Sequence, residues 1–361
     1  MFNNVYKDKV VLVTGHTGFK GSWLVTWLHL LGAKVVGVAL DPPSEPSHFT
    51  KGEMVRLLNE DVRIDIRNYK ELNDYICKIE PDYIFHLAAQ AIVKESYKNP
   101  LQTIETNALG TSNLINSIRN LKNEVRVIII TSDKCYQNNE WVWGYRETDT
   151  LGGKDPYSAS KAMAELAVHS MYMSYLRDNN KNVRLAIGRA GNVIGGGDWA
   201  KDRIVPDCIK AWQKNSVVRI RSPYSTRPWQ HVLEPLSGYL KLGEMLENSD
   251  INGEAFNFGP TNEADFTVLD LITEMSKTWK NSLFEYEDSD EKFHEAGLLK
   301  LNCDKAHNML GWKPVLSFEE NVQMTVSWYI ESENCEDIVE ITKSQINRYT
   351  ENAKIKGLNW V

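Results

Sequence analysis

A tyrosine and a lysine four residues apart, Tyr157 and Lys161, could carry proton chemistry at the start of a predicted helix. This spacing places both side chains on one helix face. A lysine ammonium beside a phenol favours the phenolate and lowers its pKa, so the tyrosine could serve as a base near neutral pH. Short patterns of this kind also occur by chance. An ordinary surface pair therefore remains the alternative until other signals are added.

Three adjacent polar residues, Ser132, Asp133 and Lys134, follow an apolar run that predicts a strand. Polar side chains at the carboxyl ends of parallel strands point into the ligand crevice. A hydroxyl, a carboxylic acid and an amine side by side could serve hydrogen bonding and proton transfer. The alternative interpretation is a polar loop without a ligand.

A glycine-rich turn near the N-terminus could hold a pyrophosphate. In the segment Lys9–Gly21, three glycines (Gly15, Gly18 and Gly21) lie between a predicted strand and a predicted helix. Glycine lets the backbone approach the phosphates, and the helix start offers unpaired N–H groups and the positive end of its dipole. The spacing is G-x-x-G-x-x-G, and an ordinary β–α turn is the alternative.

Further residues fit the rest of a dinucleotide. Asp41 ends the second predicted strand, where a carboxylate accepts hydrogen bonds from the adenosine ribose and repels a 2′-phosphate. Because no Arg or Lys follows closely in the sequence, Asp41 favours NAD over NADP; a turn aspartate is the alternative. Asp65 and Ile66 suit an adenine contact. Small residues after another strand would let the nicotinamide ribose approach: Leu87, Ala88 and Ala89.

An anionic ligand would need local cations, because the 361-residue chain has a net charge of −7. Four late arginines could form a diphosphate patch: Arg203, Arg219, Arg221 and Arg227. Each is also compatible with an ordinary surface arginine. His294 is a lone histidine in a polar stretch. No pair of histidines has the spacing of metal ligands, so no metal site is predicted.

The composition restricts the class of protein. Hydrophobic residues make up 42% and charged residues 25%, as in ordinary globular proteins. The acidic balance argues against nucleic acid and anionic membranes as partners. Five scattered cysteines predict reduced thiols and a cytoplasmic setting. We expect neither a signal peptide nor a membrane-spanning segment.

Short apolar runs alternate with amphipathic segments over the first 190 residues, which predicts an α/β fold with a doubly wound parallel sheet. The predicted strands are Val10–Val13, Lys34–Leu40, Tyr83–Leu87, Val125–Thr131 and Val183–Arg189. The predicted helices are Ser22–Leu31, Tyr69–Ile79, Thr103–Asn120 and Ser158–Leu176. We expect a dinucleotide-binding domain over residues 1–190, a smaller mixed substrate lobe over 191–330, and a surface helix or loose tail over 331–361.

Four motifs together resemble the extended short-chain dehydrogenase/reductase family over nearly the whole chain: Thr14–Gly21 (TGHTGFKG), His86–Gln90 (HLAAQ), Asn107–Thr111 (NALGT) and Tyr157–Lys161 (YSASK). Three segments are similar to the nucleotide-sugar 4,6-dehydratases within that family, especially those acting on CDP-glucose: Thr131–Tyr136 (TSDKCY), Thr226–Val232 (TRPWQHV) and His294–Leu301 (HEAGLLKL). The resemblance implies a Rossmann domain of about seven strands and a tightly held NAD.

The resemblance also implies a redox-neutral cycle. Tyr157 takes the proton of the sugar 4-OH while hydride leaves C4, and Asp133 protonates the departing C6 hydroxyl. Ser132 hydrogen-bonds O4, and Lys161 holds the ribose and tunes Tyr157. Lys134 stands where dTDP-glucose dehydratases carry glutamate, which leaves the identity of the C5 base open. The implied cofactor contacts include Gly15, Thr17, Gly18, Phe19 and Gly21, and the implied substrate contacts are Gln90, Asn192, Arg203, Arg219, Arg221, Arg227 and His294.

Two classes of alternative stay open. One is a nucleotide-sugar epimerase or a different 4,6-dehydratase, such as the GDP-mannose enzyme; Asp133 favours dehydration, because an epimerase needs no acid for a leaving hydroxyl. The other is a non-catalytic NAD-binding protein on the same fold. The resemblance further implies a homodimer, or a dimer of dimers, through Thr103–Asn120 and Ser158–Leu176. The residues expected at that interface are Ala162, Leu166, Met173 and Leu176.

Overall fold

The computed structural model describes residues 1–178, 182–220, 222–248, 251–260, 265–286 and 298–361. Within these ranges seven strands form one parallel sheet: β1 Val10–Thr14, β2 Lys34–Ala39, β3 Glu60–Arg63, β4 Tyr83–His86, β5 Val125–Ile130, β6 Val183–Ala190 and β10 Ala255–Phe258. Their order across the sheet is β10-β6-β5-β4-β1-β2-β3. The predicted fold class is confirmed.

Helices cover both faces of this sheet, so its central strands are apolar on both sides. The helices are α1 Phe19–Leu30, α2 His48–Lys51, α3 Tyr69–Ile79, α4 Val93–Lys98, α5 Pro100–Ile104, α6 Gly110–Ile118, α7 Pro156–Met171, α8 Ile204–Gln213, α9 Leu233–Met245, α10 Val268–Thr278, α11 Phe318–Asn334 and α12 Ile338–Ile355. Along β1, Leu12 packs with α3, α6 and α7, whereas Val11 and Val13 pack with α1, α9 and α12. A π-helical segment, Glu105–Leu109, joins α5 to α6, and a second one, Tyr172–Leu176, extends α7.

The strand order reverses between β1 and β4. From β1 the chain builds outward to β2 and β3, and from β4 it builds the other way to β5 and β6. Such a reversal opens a crevice at the carboxyl ends of the strands, where open α/β sheets bind ligands. The glycine turn after β1 and the polar residues after β5 both face this edge.

The second lobe is smaller and interleaved with the first. Two short parallel pairs lie outside the main sheet: β7 Val193–Ile194 with β9 Gln230–His231, and β8 Val218–Ile220 with β11 Phe284–Tyr286. The strand β10, however, pairs with β6 and completes the main sheet. The predicted domain boundary at residue 190 therefore does not separate the two parts cleanly, because Ala255–Phe258, which lies after it, forms a strand of the main sheet.

The C-terminal region packs tightly. The predicted boundary at residue 331 falls inside α11, and α12 follows with one buried face. Tyr349 packs edge-on against Trp27 of α1 at 5.8 Å between ring centroids, and Trp360 stacks on Phe2 at 5.1 Å. The helix predicted there is present, but the alternative of a loose tail is wrong. No helix in the described ranges is long and apolar enough to cross a membrane.

Candidate functional site

The glycine turn joins β1 to α1 at the strand-order reversal. Gly15 has φ +75°, and a Cβ there would lie 2.7 Å from the backbone nitrogen of Ala88. A Cβ at Gly21 would overlap the Gly15 carbonyl oxygen, whereas one at Gly18 would meet only that oxygen, at 3.3 Å. Helix α1 begins at Phe19 without a side-chain cap. The first turn therefore presents backbone N–H groups to an anion.

Hydrogen bonds hold this turn against the neighbouring strands. Thr17 Oγ1 donates to the carbonyl of Leu40 at 3.0 Å, just after β2. His16 Nε2 bonds to Asp61 of β3 at 2.7 Å. The predicted contact residues Thr17 and Asp41 thus lie beside the glycine turn, on its β2 side. The side chain of Asp41 is 91% exposed and accepts a hydrogen bond from Arg63.

A buried network joins all four family motifs. His86 bonds to Thr14 at 2.8 Å and to Thr111 at 3.0 Å. Asn107 accepts from the Gln90 amide at 2.8 Å and donates to Ser160, between Tyr157 and Lys161 on α7, also at 2.8 Å. These bonds align the loop after β4 with the helix that carries the candidate catalytic pair.

The side chain of Gln90 is used within this loop. It donates to Thr103 at 2.9 Å and accepts from the amide of Ile92. This geometry favours a positioning role for Gln90 over the predicted substrate contact. Leu87, Ala88 and Ala89 line the same loop and are partly exposed.

The polar residues after β5 form a compact turn. Ser132 Oγ donates to Asp133 Oδ1 at 2.9 Å and accepts from the Lys134 amide at 3.3 Å. Asp133 is 1% exposed, and its Oδ2 has no hydrogen-bond partner among the described residues. A Cβ at Gly191, after β6, would overlap the Asp133 carboxylate. A glycine is therefore required where the chain passes Asp133.

Tyr157 lies in the same buried site, and Asp133 acts on it electrostatically. Burial raises the pKa of Tyr157 to about 12, and a hydrogen bond with Ser132 partly opposes this rise. Asp133 raises the pKa further, whereas Arg203 lowers it. In the protein chain burial dominates the pKa of Tyr157, so the role of Lys161 in making this phenol a base near neutrality stays a prediction.

Two lysines in the crevice have lowered pKa values. Burial lowers the pKa of Lys161 to about 8, and Glu165 partly opposes the shift. Burial, followed by Arg203 and Lys161, lowers the pKa of Lys20 to about 7, while Asp133 opposes it. Lys161 Nζ has no hydrogen-bonding or ion-pair partner within the described part of the chain. These lysines and the unpaired Asp133 oxygen are groups that a ligand could bind.

A buried ion pair supports the catalytic turn from behind. Glu165 lies one turn after Lys161 on α7 and pairs with Arg189 of β6, both almost fully buried. Glu165 also accepts from Thr131 at 2.5 Å, and Arg189 donates to Tyr136 at 2.7 Å. Because Thr131 and Tyr136 flank the segment 132–135, this pair fixes both ends of the turn.

Other predicted residues are placed less directly. Asp65 pairs with Arg67, which holds the pKa of that carboxyl below its usual value. Ile66 is buried, and a Cβ at Gly110 would lie 2.6 Å from it. Asn192 follows Gly191 with φ +46° and is partly exposed near Asp133.

The three predicted arginines within the described ranges are each held by a different partner. Arg203 donates to Asp198 at 2.8 Å and lies near Tyr157, whereas Arg219 pairs with Glu285 on the small β8–β11 sheet. Arg227 is partly buried and donates to the carbonyl of Thr226 at 2.7 Å. Arg221 and His294 lie outside the described residues. In the ranges that are described, no cluster of three His, Cys, Asp or Glu side chains could hold a metal ion.

Sequence reasoning missed three residues that shape the site: Lys20, Arg63 and Gly191. Lys20 lies between the motif glycines Gly18 and Gly21, but the glycine pattern does not predict where the lysine side chain points. Arg63 and Gly191 reach Asp41 and Asp133 only through the fold, so no local signal marks them.

The crevice fits a dinucleotide. A glycine turn with an uncapped helix start, a carboxylate at the end of β2 and an unpaired lysine on α7 meet along one edge of the sheet. These are the groups that bind a pyrophosphate, an adenosine ribose and a second ribose in Rossmann folds.

Comparison with known proteins agrees with a dinucleotide-binding crevice. The CDP-glucose 4,6-dehydratase of Salmonella typhimurium is 45% identical over 352 residues, covering 96% of this chain and 97% of that protein. The dTDP-glucose 4,6-dehydratase of Haemophilus influenzae is 27% identical, covering 89% and 97%. DesIV, a dTDP-glucose 4,6-dehydratase from Streptomyces venezuelae solved with NAD and TYD bound, aligns with a TM-score of 0.72 at 23% identity, covering 89% and 97%. The family model described as GDP-mannose 4,6 dehydratase matches residues 12–325, and the chain therefore belongs to this family of nucleotide-sugar dehydratases.

Proposed function

We propose that this protein is a CDP-glucose 4,6-dehydratase, which converts CDP-D-glucose to CDP-4-keto-6-deoxy-D-glucose and water. The buried Asp133 carries the proposal: it lies beside Ser132 and near Tyr157, with one oxygen unpaired. Loss of a sugar hydroxyl needs an acid next to the group that oxidises the sugar. The identity to a CDP-glucose 4,6-dehydratase supports the choice of nucleotide.

The first step removes a proton from the sugar 4-OH. When bound, NAD would supply the hydride acceptor for C4, a positive charge that favours phenolate and, once reduced to NADH, the hydride donor for C6. Tyr157 accepts the proton, and Ser132 hydrogen-bonds O4 and Tyr157. Lys161 holds the ribose and contributes a cation on the same helix face.

The second step removes water. A 4-keto group makes the C5 proton acidic, and a base takes it while Asp133 protonates the C6 oxygen. Two protons leave the sugar, from O4 and C5, and two return, one to the departing hydroxyl and one to C5. Lys134, next to Asp133 in the chain, is our proposed C5 base, and Lys20 is the second candidate because Asp133 acts on it electrostatically.

The substrate would lie between the main sheet and the smaller lobe. Asn192 and Arg203 are near the catalytic turn and suit the sugar, and Arg227 suits the diphosphate as a guanidinium donor. Arg219 is the weakest of the predicted contacts, because it is exposed and paired with Glu285.

Product analysis tests the proposal. The purified protein is incubated separately with CDP-, dTDP-, UDP- and GDP-hexoses, and the products are identified by mass and NMR. We expect loss of one water from CDP-glucose, with a 4-keto-6-deoxy product and no added reductant. A C4 epimer of unchanged mass, or dehydration of only another nucleotide sugar, would contradict it.

We further propose a homodimer through α5, α7 and the π-helical segments beside them. Several large apolar side chains are exposed there: Leu101, Leu109, Met163, Leu166 and Met173. On α7 and its π-helical extension, Met163, Leu166 and Met173 follow a helical stripe. Ala162 and Leu176, which were also predicted at the interface, are buried within the chain.

The five cysteines are free, which supports the expected reducing, cytoplasmic setting.

A further inference from the structure

The guanidinium of Arg63 lies between two carboxylates at the carboxyl edge of the sheet. Its Nε donates to Asp41 Oδ1 at 3.0 Å, and its Nη2 donates to Asp61 Oδ2 at 3.1 Å, with a second bond from Nη1 to Asp61. Arg63 pairs in register with Ala39, two residues before Asp41. The sequence prediction of NAD assumed that no cation is near Asp41. The fold places one there.

This cluster touches the glycine turn. His16, in the turn itself, bonds to Asp61 at 2.7 Å and lies 3.5 Å from Arg63 Nη1. Thr17 fixes the other side of the turn to Leu40, next to Asp41. Arg63 is therefore beside the position that the adenosine ribose takes under the proposed function.

We infer that Arg63 is a second determinant of dinucleotide choice, held by Asp41 in this chain and able to receive a 2′-phosphate once that carboxylate is removed. The inference rests on the proposed role of the glycine turn and Asp41 in binding NAD. A guanidinium offers phosphate several charge-assisted hydrogen bonds. In this chain one of those donors, Nε, is already bound to Asp41.

The charges explain why the unmodified cluster disfavours a phosphate. Asp41 and Asp61 carry two negative charges against the single positive charge of Arg63, and burial lowers the pKa of His16, so this ring is neutral near pH 7. A 2′-phosphate would meet a net negative group. Replacing Asp41 by serine brings the cluster to neutrality and leaves Nε available. Because Asp41 is exposed, its ion pair with Arg63 contributes little to folding, and the change should not disturb the fold.

The experiment measures binding of NAD and NADP separately by calorimetry. The proteins are the unmodified chain, Asp41→Ser, Asp41→Asn, Arg63→Gln and the double variant Asp41→Ser/Arg63→Gln. Arg56→Gln is the matched control, because Arg56 forms a similar half-exposed pair with Asp337 elsewhere. Thermal unfolding of each protein verifies that it is folded.

We expect the unmodified chain to prefer NAD, and Asp41→Ser and Asp41→Asn to bind NADP at least about ten-fold more tightly than it does. Arg63→Gln in the Asp41→Ser background should remove that gain, whereas Arg56→Gln should change neither affinity. NAD binding without any gain for NADP in both Asp41 variants would overturn the inference. So would a gain that survives loss of Arg63. An unmodified chain that binds neither dinucleotide would instead refute the proposed function on which the inference depends.

Discussion

At the scale of single residues, Tyr157 should be needed for turnover but not for folding. Tyr157→Phe removes only the phenolic oxygen, which we assign to the proton of the sugar 4-OH. Turnover of CDP-glucose should fall by roughly 10²–10⁴-fold, the range typical of a lost acid–base group. NAD affinity and thermal stability should stay near those of the parent protein. A variant with near-native turnover would exclude Tyr157 from this role.

Asp133→Asn should block water loss more than the first hydride transfer. Asparagine has nearly the shape of aspartate, so it fits against Gly191 where a larger side chain could not. It cannot protonate the departing C6 hydroxyl. On mixing with CDP-glucose and NAD, absorbance of NADH should rise and persist, with little 4-keto-6-deoxy product. Absence of the NADH signal would mean that Asp133 acts before dehydration.

Exchange of the C5 proton with deuterated solvent tests the proposed base. Lys134→Met should abolish this exchange while NADH still accumulates, because the amine is removed and the turn keeps its backbone bond to Ser132. Lys154→Met is the control, since Lys154 is an exposed lysine outside the site. If Lys134→Met retains exchange and Lys20→Met loses it, the base is Lys20 and our assignment is wrong.

The places of candidate site residues in the fold could be foreseen where local pattern and position in an element coincide. Ser132 and Asp133 follow a strand, and Tyr157 and Lys161 share a helix face, so their approximate places could be foreseen. The electrostatics could not, because the pKa of Tyr157 depends on burial and on Asp133 and Arg203, which lie 24 and 46 positions away. The same applies to the contact between Arg63 and Asp41.

At the scale of elements, an exposed apolar stripe predicts how two copies meet. Leu166 on α7 is 57% exposed and Leu101 on α5 is 74% exposed. Exposed large apolar side chains that cluster in this way indicate an interface. Leu166→Glu should convert the proposed dimer to a monomer at micromolar concentration, measured by light scattering. The control is Ile355→Glu, which replaces an exposed apolar side chain of the same size as leucine at the end of α12. It should leave the proposed dimer intact.

Two outcomes would contradict this interface. The parent protein could be monomeric at micromolar concentration, or Leu166→Glu could remain dimeric. A Leu166→Glu protein that stayed dimeric but lost thermal stability that Ile355→Glu retained would place Leu166 in the fold of each subunit and not at its contact with a partner.

The apolar central strands were predictable as elements, whereas edges and long-range pairings were not. The sequence of β3, Glu-Asp-Val-Arg, lacks an apolar run because an edge strand is only partly covered. The place of β10 beside β6 depends on contacts between segments about 70 residues apart. No local pattern contains that pairing.

At the scale of the whole molecule, one buried carboxylate ties the C-terminal region to the domain. Glu234, on α9, accepts from the amides of Val315 and Leu316 at 2.7–3.0 Å and from Tyr349 of α12 at 2.7 Å. Burial raises the pKa of Glu234 to about 7, although these hydrogen bonds oppose the rise. The segment after residue 331 is thus held by a polar anchor as well as by its aromatic packing.

Because its pKa is raised, Glu234 should make the free energy of unfolding depend on pH in a definite direction. Between the ordinary glutamate pKa, near 4.5, and about 7, the folded protein binds a proton that the unfolded chain has lost. The contribution of Glu234 is therefore full below pH 4.5 and declines as pH rises through 7. Glu234→Gln cannot titrate, and it should cost about 1–3 kcal/mol because both carboxyl oxygens accept hydrogen bonds here and an amide nitrogen cannot accept one. Measured by urea unfolding, the difference in free energy of unfolding between the parent and this variant should shrink as pH rises from 5 to 8. A difference that is constant or grows over this range would show that the carboxyl group is ionised in the folded protein throughout, and that the hydrogen bonds outweigh burial.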